Sequence, residues 1–290
     1  MIIDLHIHSK TCSDGNLSVE EIIREAKARN IKLMSITDHD AIDCQKQAEA
    51  LAQKNEIHYV TGVELNITFS HPNYINGKPI SLDILGYQFD VNNKTLTSKL
   101  HEIAKYREKR AAEILKKLNT EFEKEGLQKF TAVDLTAIQN SADGVLGRPH
   151  IADYLVKKKI VCSRQEAFNK YLVKCNVAKY PLYLGEASTL LRNAGGIVVL
   201  AHPNDPYGTS LTKLTPSLKE QTDIIENSML NLIDGIECWH SRNTPETTSH
   251  YINFVKKHGL KMTGGSDCHQ KPVILGTVKI PDFIAKQFIK

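Results

Sequence analysis

Short apolar runs punctuate this chain, and a polar cluster and then a helical pattern follow each. The runs are MIIDLHIH, IKLMSITDHD, IHYVTGVELN, ISLDILGY, GGIVVLAHP, LIDGIECWH and LKMTGGSDCH. All are short enough for buried strands, and each carries its polar cluster at or near its C-terminal end. Between them, Ser18 and Glu21 form a capping box ahead of Val19, Ile22, Ile23 and Ala26 at helical spacing. Residues 41–54 and 243–258 also read as helices. This alternation predicts parallel strands joined by right-handed crossovers, with functional residues gathered at one mouth.

The alternation breaks between about residues 94 and 182. Leu96, Leu100 and Ile103, then Ala111, Ile114, Leu115, Leu118 and Phe122, mark one or two long amphipathic helices. Residues 148–158 and 163–172 add further helical stretches. The pattern therefore divides the chain into a first barrel part (1–94), a helical insertion capping the mouth (95–182) and a second barrel part (183–290).

Composition narrows the class. With 290 residues, 41% apolar and 24% charged, the chain is an ordinary globular protein large enough for one α/β barrel. A formal charge of +4 does not announce a nucleic-acid binder, though it permits an anionic substrate. Asp4, His6 and His8 interrupt what would be a signal peptide, and no apolar run approaches the roughly 20 residues of a membrane span. Six scattered cysteines without a CxxC pair suit reduced thiols, so the expected compartment is the cytoplasm.

The polar clusters carry the chemistry. His6 and His8 stand two apart on a strand, so both rings point the same way and can grip one ion. Asp38-His39-Asp40, Glu64, His202, Asp267 and His269 occupy comparable strand ends. Nitrogen and carboxylate donors of this kind suit Zn²⁺, Mn²⁺ or Fe²⁺. Asp14 reads either as a ligand or as the Asx-turn residue before Gly15.

DLHIHSKTCSDG, ITDHD, GVEL, LAHP and GSDCH, in that order, resemble the motifs of the PHP (polymerase and histidinol phosphatase) metal-dependent phosphoesterases. GRPHIADYL, EAFNKYL and GGIVVLAHP resemble stand-alone members with a helical insert, among them 3′,5′-nucleoside bisphosphate phosphatases and 5′-3′ exoribonucleases. The resemblance implies a distorted, TIM-like (β/α)7 barrel holding two or three divalent ions, Mn²⁺ first and Zn²⁺ or Fe²⁺ as alternatives. It assigns His6, His8, Glu64 and Asp267 to one metal, with Glu64 bridging to a second held by His202. Asp14, His39 and His269 complete a third position. Asp83 stands where many relatives carry histidine and is a candidate ligand, whereas Asp38 and Asp40 read as orienting or capping residues.

Four residues carry the catalytic expectation: Glu64, Asp267, and His202 or His269 as the proton donor to the leaving oxygen. Arg148 and His150 are expected to contact phosphate, and His240 and Arg242 are weaker substrate contacts. Trp239 reads as packing, Cys268 as turned away from the ligands, and Lys105, Tyr106, Arg107, Lys109 and Arg110 as a solvated helix face. The expected partner is a small phosphorylated substrate or short RNA, with no membrane and no protein partner implied. Histidinol phosphate, a cyclic phosphodiester and an amidohydrolase-type C–N substrate are the competing reactions. A metal-stabilised binding module without catalysis is the remaining class.

Overall fold

The computed structural model describes residues 1–289. Its elements run β1 (Ile2–Asp4), α1 (Val19–Ala28), β2 (Ile31–Met34), α2 (Gln45–Lys54), β3 (His58–Tyr59), β4 (Gly62–Phe69), β5 (Ile80–Tyr87) and α3 (Lys94–Glu125). Then come α4 (Ala132–Gln139), α5 (Arg148–Lys157), α6 (Arg164–Ala167), α7 (Leu184–Asn193), β6 (Ile197–Leu200), α8 (Leu218–Ser228), β7 (Gly235–His240), α9 (Pro245–His258) and β8 (Lys261–Gly265). The Ser18–Glu21 capping box forms as expected, and α1 buries Val19, Ile22, Ile23 and Ala26.

Strands β1, β2 and β3 pair in parallel in one sheet, and β4 to β8 pair in order in a second. In the second sheet β5 runs antiparallel to both neighbours, while β6, β7 and β8 are parallel. Isolated bridges join the two sheets, Ile7 with Cys268 and His39 with Glu64. The expected distorted, TIM-like (β/α)7 barrel is therefore corrected to an α/β fold with a mixed sheet and helical insertions, in which no closed barrel forms. The cause is the link between β4 and β5, residues 70–79, which is shorter than the roughly dozen residues a parallel crossover needs. The chain consequently returns alongside itself, and Asp83 lies in the middle of β5 opposite Asn66 rather than at a strand's C-terminal end.

Helix α3 joins two apolar cores. Leu96, Leu100 and Ile103 pack with Val63, Leu65 and Ile84 of the second sheet. One helix span further on, Ala111, Ile114, Leu115, Leu118 and Phe122 pack with Ile151, Leu155, Tyr171 and Leu172 in a separate helical core. Asn93 caps the helix through Leu96 N–H, and Gly126, at φ 68°, ends it in the left-handed conformation that glycine adopts without strain. No helix among the described residues is long and apolar enough to cross a membrane.

Candidate metal centre

The site forms where the two sheets abut. Parallel pairing of Ile7 with Cys268 turns both into the apolar cluster beneath α1, so the residues flanking them face the other way. His6 and His8 thereby meet Asp267 and His269. Gly265 permits this approach, because a Cβ there would fall 2.3 Å from that of His6. The second bridge brings His39 beside Glu64 in the same manner.

Glu64 is the hub. Its Oε1 lies 2.9 Å from His202 Nε2 and 3.5 Å from His6 Nε2, and its Oε2 lies 2.8 Å from His39 Nδ1 and 3.2 Å from His8 Nε2. Asp267 Oδ1 lies 3.3 Å from His8 Nε2, 3.5 Å from His6 Nε2 and 3.3 Å from His269 Nδ1. The Nε2 atoms of His6 and His8 face each other at 3.1 Å. His269 stacks on His8 at 3.9 Å between ring centroids, and its Nε2 is 3.5 Å from Asp14 Oδ1. Three overlapping groups thus have donor atoms within 4.8 Å of one another: His6, Glu64 and His202; His6, His8 and Asp267; and His8, Asp14, His39 and His269.

No lysine or arginine pairs with Glu64 or Asp267 among the described residues, although Glu64 is buried and the Asp267 side chain is only 8% exposed. Unpaired buried carboxylates are costly unless cations or protons compensate them. Burial by itself would depress His8 and His202, yet Asp267 and Glu64 hold His8 up at about 10, and Glu64 and Asp83 hold His202 up at about 9. The carboxylates therefore draw positive charge onto the imidazoles, and a divalent cation meets the same demand. Asp40, His202 and Asp267 adopt φ values of 52°, 24° and 54°, backbone conformations costly for residues with side chains and typical of functional sites.

The remaining expected residues divide. Asp83 lies 3.9 Å from His202 Nε2, and its oxygens accept from Asn66 Nδ2 and Thr209 Oγ1, so it stands beside the groups above. Asp38 accepts from Ser9 N and Ser9 Oγ, both at 2.6 Å, and thereby shapes the loop leading to Asp14. His240 accepts from Arg242 N at Nδ1, which leaves Nε2–H directed at Asp267 Oδ2 at 3.4 Å. Arg242 pairs with buried Asp205 at 2.6 Å. His150 Nδ1 caps α5 through Gly147 N–H at 3.0 Å. Arg148 lies over the Phe168 ring at 5.3 Å with no carboxylate partner, and Trp239 is packed at 9% exposure.

Two features escaped the sequence reading. Arg107 and Arg110 turn inward, which corrects the solvated-face expectation for them, while Lys105 and Lys109 stay exposed. Arg107 Nε donates to Asp40 Oδ2 at 3.0 Å, and Arg110 is buried against Val177 O and Asn176 Oδ1. With Lys179, Tyr180, Asn66 and Asp40 they line a small pocket next to the cluster. The second feature is Glu237, buried in β7, whose two oxygens accept from His6 Nδ1 and His202 N. The spacing of Arg107 and Arg110, four and seven residues after buried Ile103 and so on its helix face, and one acid inside an apolar strand, were the available signals.

A PHP-domain family model matches residues 4–176, more than half of the chain. The chain belongs to the PHP family. A "5'-3' exoribonuclease" from Haemophilus influenzae is 32% identical over 275 residues, spanning 92% of this chain and 89% of that protein. A "3',5'-nucleoside bisphosphate phosphatase" from Chromobacterium violaceum is 27% identical, spanning 92% of this chain and 87% of that one. Among solved structures, a metal-dependent phosphoesterase assignment from Bifidobacterium adolescentis superposes with a TM-score of 0.80 at 25% identity, covering 99% of this chain and 95% of that one. This PHP protein is a metal-dependent phosphoesterase, and its donor clusters accommodate two or three divalent ions.

Proposed function

We propose that this PHP protein hydrolyses a phosphate monoester of a small nucleotide that bears a second phosphate, such as a 3′,5′-nucleoside bisphosphate, or trims short 5′-phosphorylated RNA. The observation that carries this reading is the placement of cations. An acidic, imidazole-rich cluster built for divalent metal lies directly beneath a helical segment that supplies Arg107, Arg110, Arg148 and Lys179. The names of the Haemophilus and Chromobacterium relatives support the same substrate class.

His6, His8, Glu64 and Asp267 would hold one ion, Glu64 and His202 a second, and Asp14, His39 and His269 a third, with Asp83 available beside His202. Mn²⁺ is the first choice for this mixture of imidazole and carboxylate, and Zn²⁺ or Fe²⁺ are alternatives. Bound there, divalent ions supply an activated water nucleophile and neutralise phosphate charge. The chain does the rest. Arg148 offers a planar fork to phosphate oxygens, and Arg107 orients the Asp40 loop that carries His39. His202 or His269, whichever the ions leave free, is the imidazole to give a proton to the leaving oxygen. Residues 95–182 act as the cap that excludes water from this chemistry. The six cysteines are all unpaired, which fits a cytoplasmic protein.

The solved structure of an amidohydrolase from Chromobacterium violaceum, with sulfate bound, is similar at a TM-score of 0.79 and 26% identity, and it supports C–N hydrolysis as the second reading. Turnover of 3′,5′-adenosine bisphosphate, a 5′-phosphorylated oligoribonucleotide, histidinol phosphate, a cyclic phosphodiester and a set of amides under added Mn²⁺ separates the possibilities. Phosphate release from the bisphosphate, or nucleoside monophosphate release from the oligoribonucleotide, is expected to be the fastest of these turnovers. Turnover of amides alone would overturn the reading.

A further inference from the structure

Glu237 occupies a position that no polar motif announces. It lies in the middle of β7, fully buried, between Ile236 and Cys238 of the apolar core. Its Oε1 is 3.0 Å from His6 Nδ1, and its Oε2 accepts from the backbone N–H of His202 at 2.8 Å. No lysine or arginine pairs with it among the described residues. A carboxylate buried at this cost needs a compensating role.

Both of its partners belong to the donor cluster, and they lie at different ends of it. With Nδ1–H donated to Glu237, the lone pair of His6 Nε2 is left facing Glu64, Asp267 and His8. His202 turns through φ 24°, an unfavourable conformation, and its amide is held there by the same carboxylate. One side chain therefore sets the tautomer of a ring in one donor group and the backbone position of a residue in the next.

We propose that Glu237 is a positioning residue that fixes the spacing between the two metal positions by holding the His6 ring and the His202 backbone on one carboxylate. The inference rests on the metal-centre reading above. Glutamine in its place can accept from only one partner, and its NH₂ group set against His6 Nδ1 selects the opposite tautomer, with a proton at Nε2 where the ion should bind.

The test compares wild type with Glu237→Gln and Glu237→Asp by calorimetric Mn²⁺ titration of metal-stripped protein, with circular dichroism to verify folding. Glu237→Gln is expected to weaken Mn²⁺ binding about 10–100-fold, as loss of such an outer partner typically does, with kcat recovering at saturating Mn²⁺. Glu237→Asp keeps the charge at shorter reach and should fall between the two. Equal Mn²⁺ affinity in folded wild type and Glu237→Gln overturns the proposal while leaving the metal site standing; wild type that binds no Mn²⁺ overturns both. If the variants do not fold, nitrogen NMR of the metal-stripped wild type decides. The His6 ring must then carry a proton on Nδ1, and a ring protonated on Nε2 alone contradicts the assignment.

Discussion

The carboxylates of Glu64, Glu237 and Asp267 share space with His6, His8 and His202, and no lysine or arginine pairs with them among the described residues. Across the helical segment the signs reverse. Among the described residues, buried Arg110 donates to Val177 O and Asn176 Oδ1 alone, and Arg148 rests on Phe168 and donates to Leu172 O alone. Each region by itself is electrostatically unsatisfied. The first demands cations and the second demands anions, so an ion-bound phosphate ester between them answers both.

This contrast can be broken from either side. Glu64→Ala should have the largest effect, a loss of activity on the order of 10³-fold or more because it removes the donor shared by His6, His8, His39 and His202. Steady-state phosphate release with metal analysis of the purified variant checks it, and near-normal turnover with full metal would remove Glu64 from the centre. Phe122→Ala should cost about 3–5 kcal/mol in the helical core, where the ring packs against Phe130 and Tyr171. Thermal unfolding should show that loss while Mn²⁺ stoichiometry stays at the wild-type value. Equal loss of metal would mean that the two cores are not separable.

Arg148→Ala should raise KM for the phosphate ester about tenfold or more, the weight of one charge-assisted contact, and leave metal content unchanged. A parallel fall in bound metal would place Arg148 with the ligands instead. Gly144→Ala probes the seam between the regions, since a Cβ there would lie 2.1 Å from the Cys12 carbonyl carbon on the loop that carries Asp14. We expect a several-fold weaker response to metal, with kcat near wild type at saturation. A wild-type titration would show that the loop tolerates the displacement.

What could be read from the chain beforehand follows the range of the interactions. His6, His8, Asp267 and His269 were legible because alternation on a strand is a local rule, and Ile7 and Cys268 turn away as it requires. The capping box and the apolar stripe of α3 were legible for the same reason. The reversal of β5 was not, because it depends on what a ten-residue link (residues 70–79) cannot span, and the apolar run ISLDILGY looks the same in either direction. Glu237 was hidden because its partners stand 231 and 35 residues away. Arg107 and Arg110 were misread because a basic run on a helix is usually solvated, and only the fold of residues 176–180 around them shows otherwise.

The central claim is that the donor cluster and the cationic helical segment act together on one phosphate ester. Its most direct test is phosphate release from 3′,5′-adenosine bisphosphate by chelator-stripped protein, before and after Mn²⁺ is restored. The account predicts negligible release from the stripped protein and full recovery with Mn²⁺ in wild type but not in His8→Ala. Release that persists without metal, or that His8→Ala recovers fully, would contradict it.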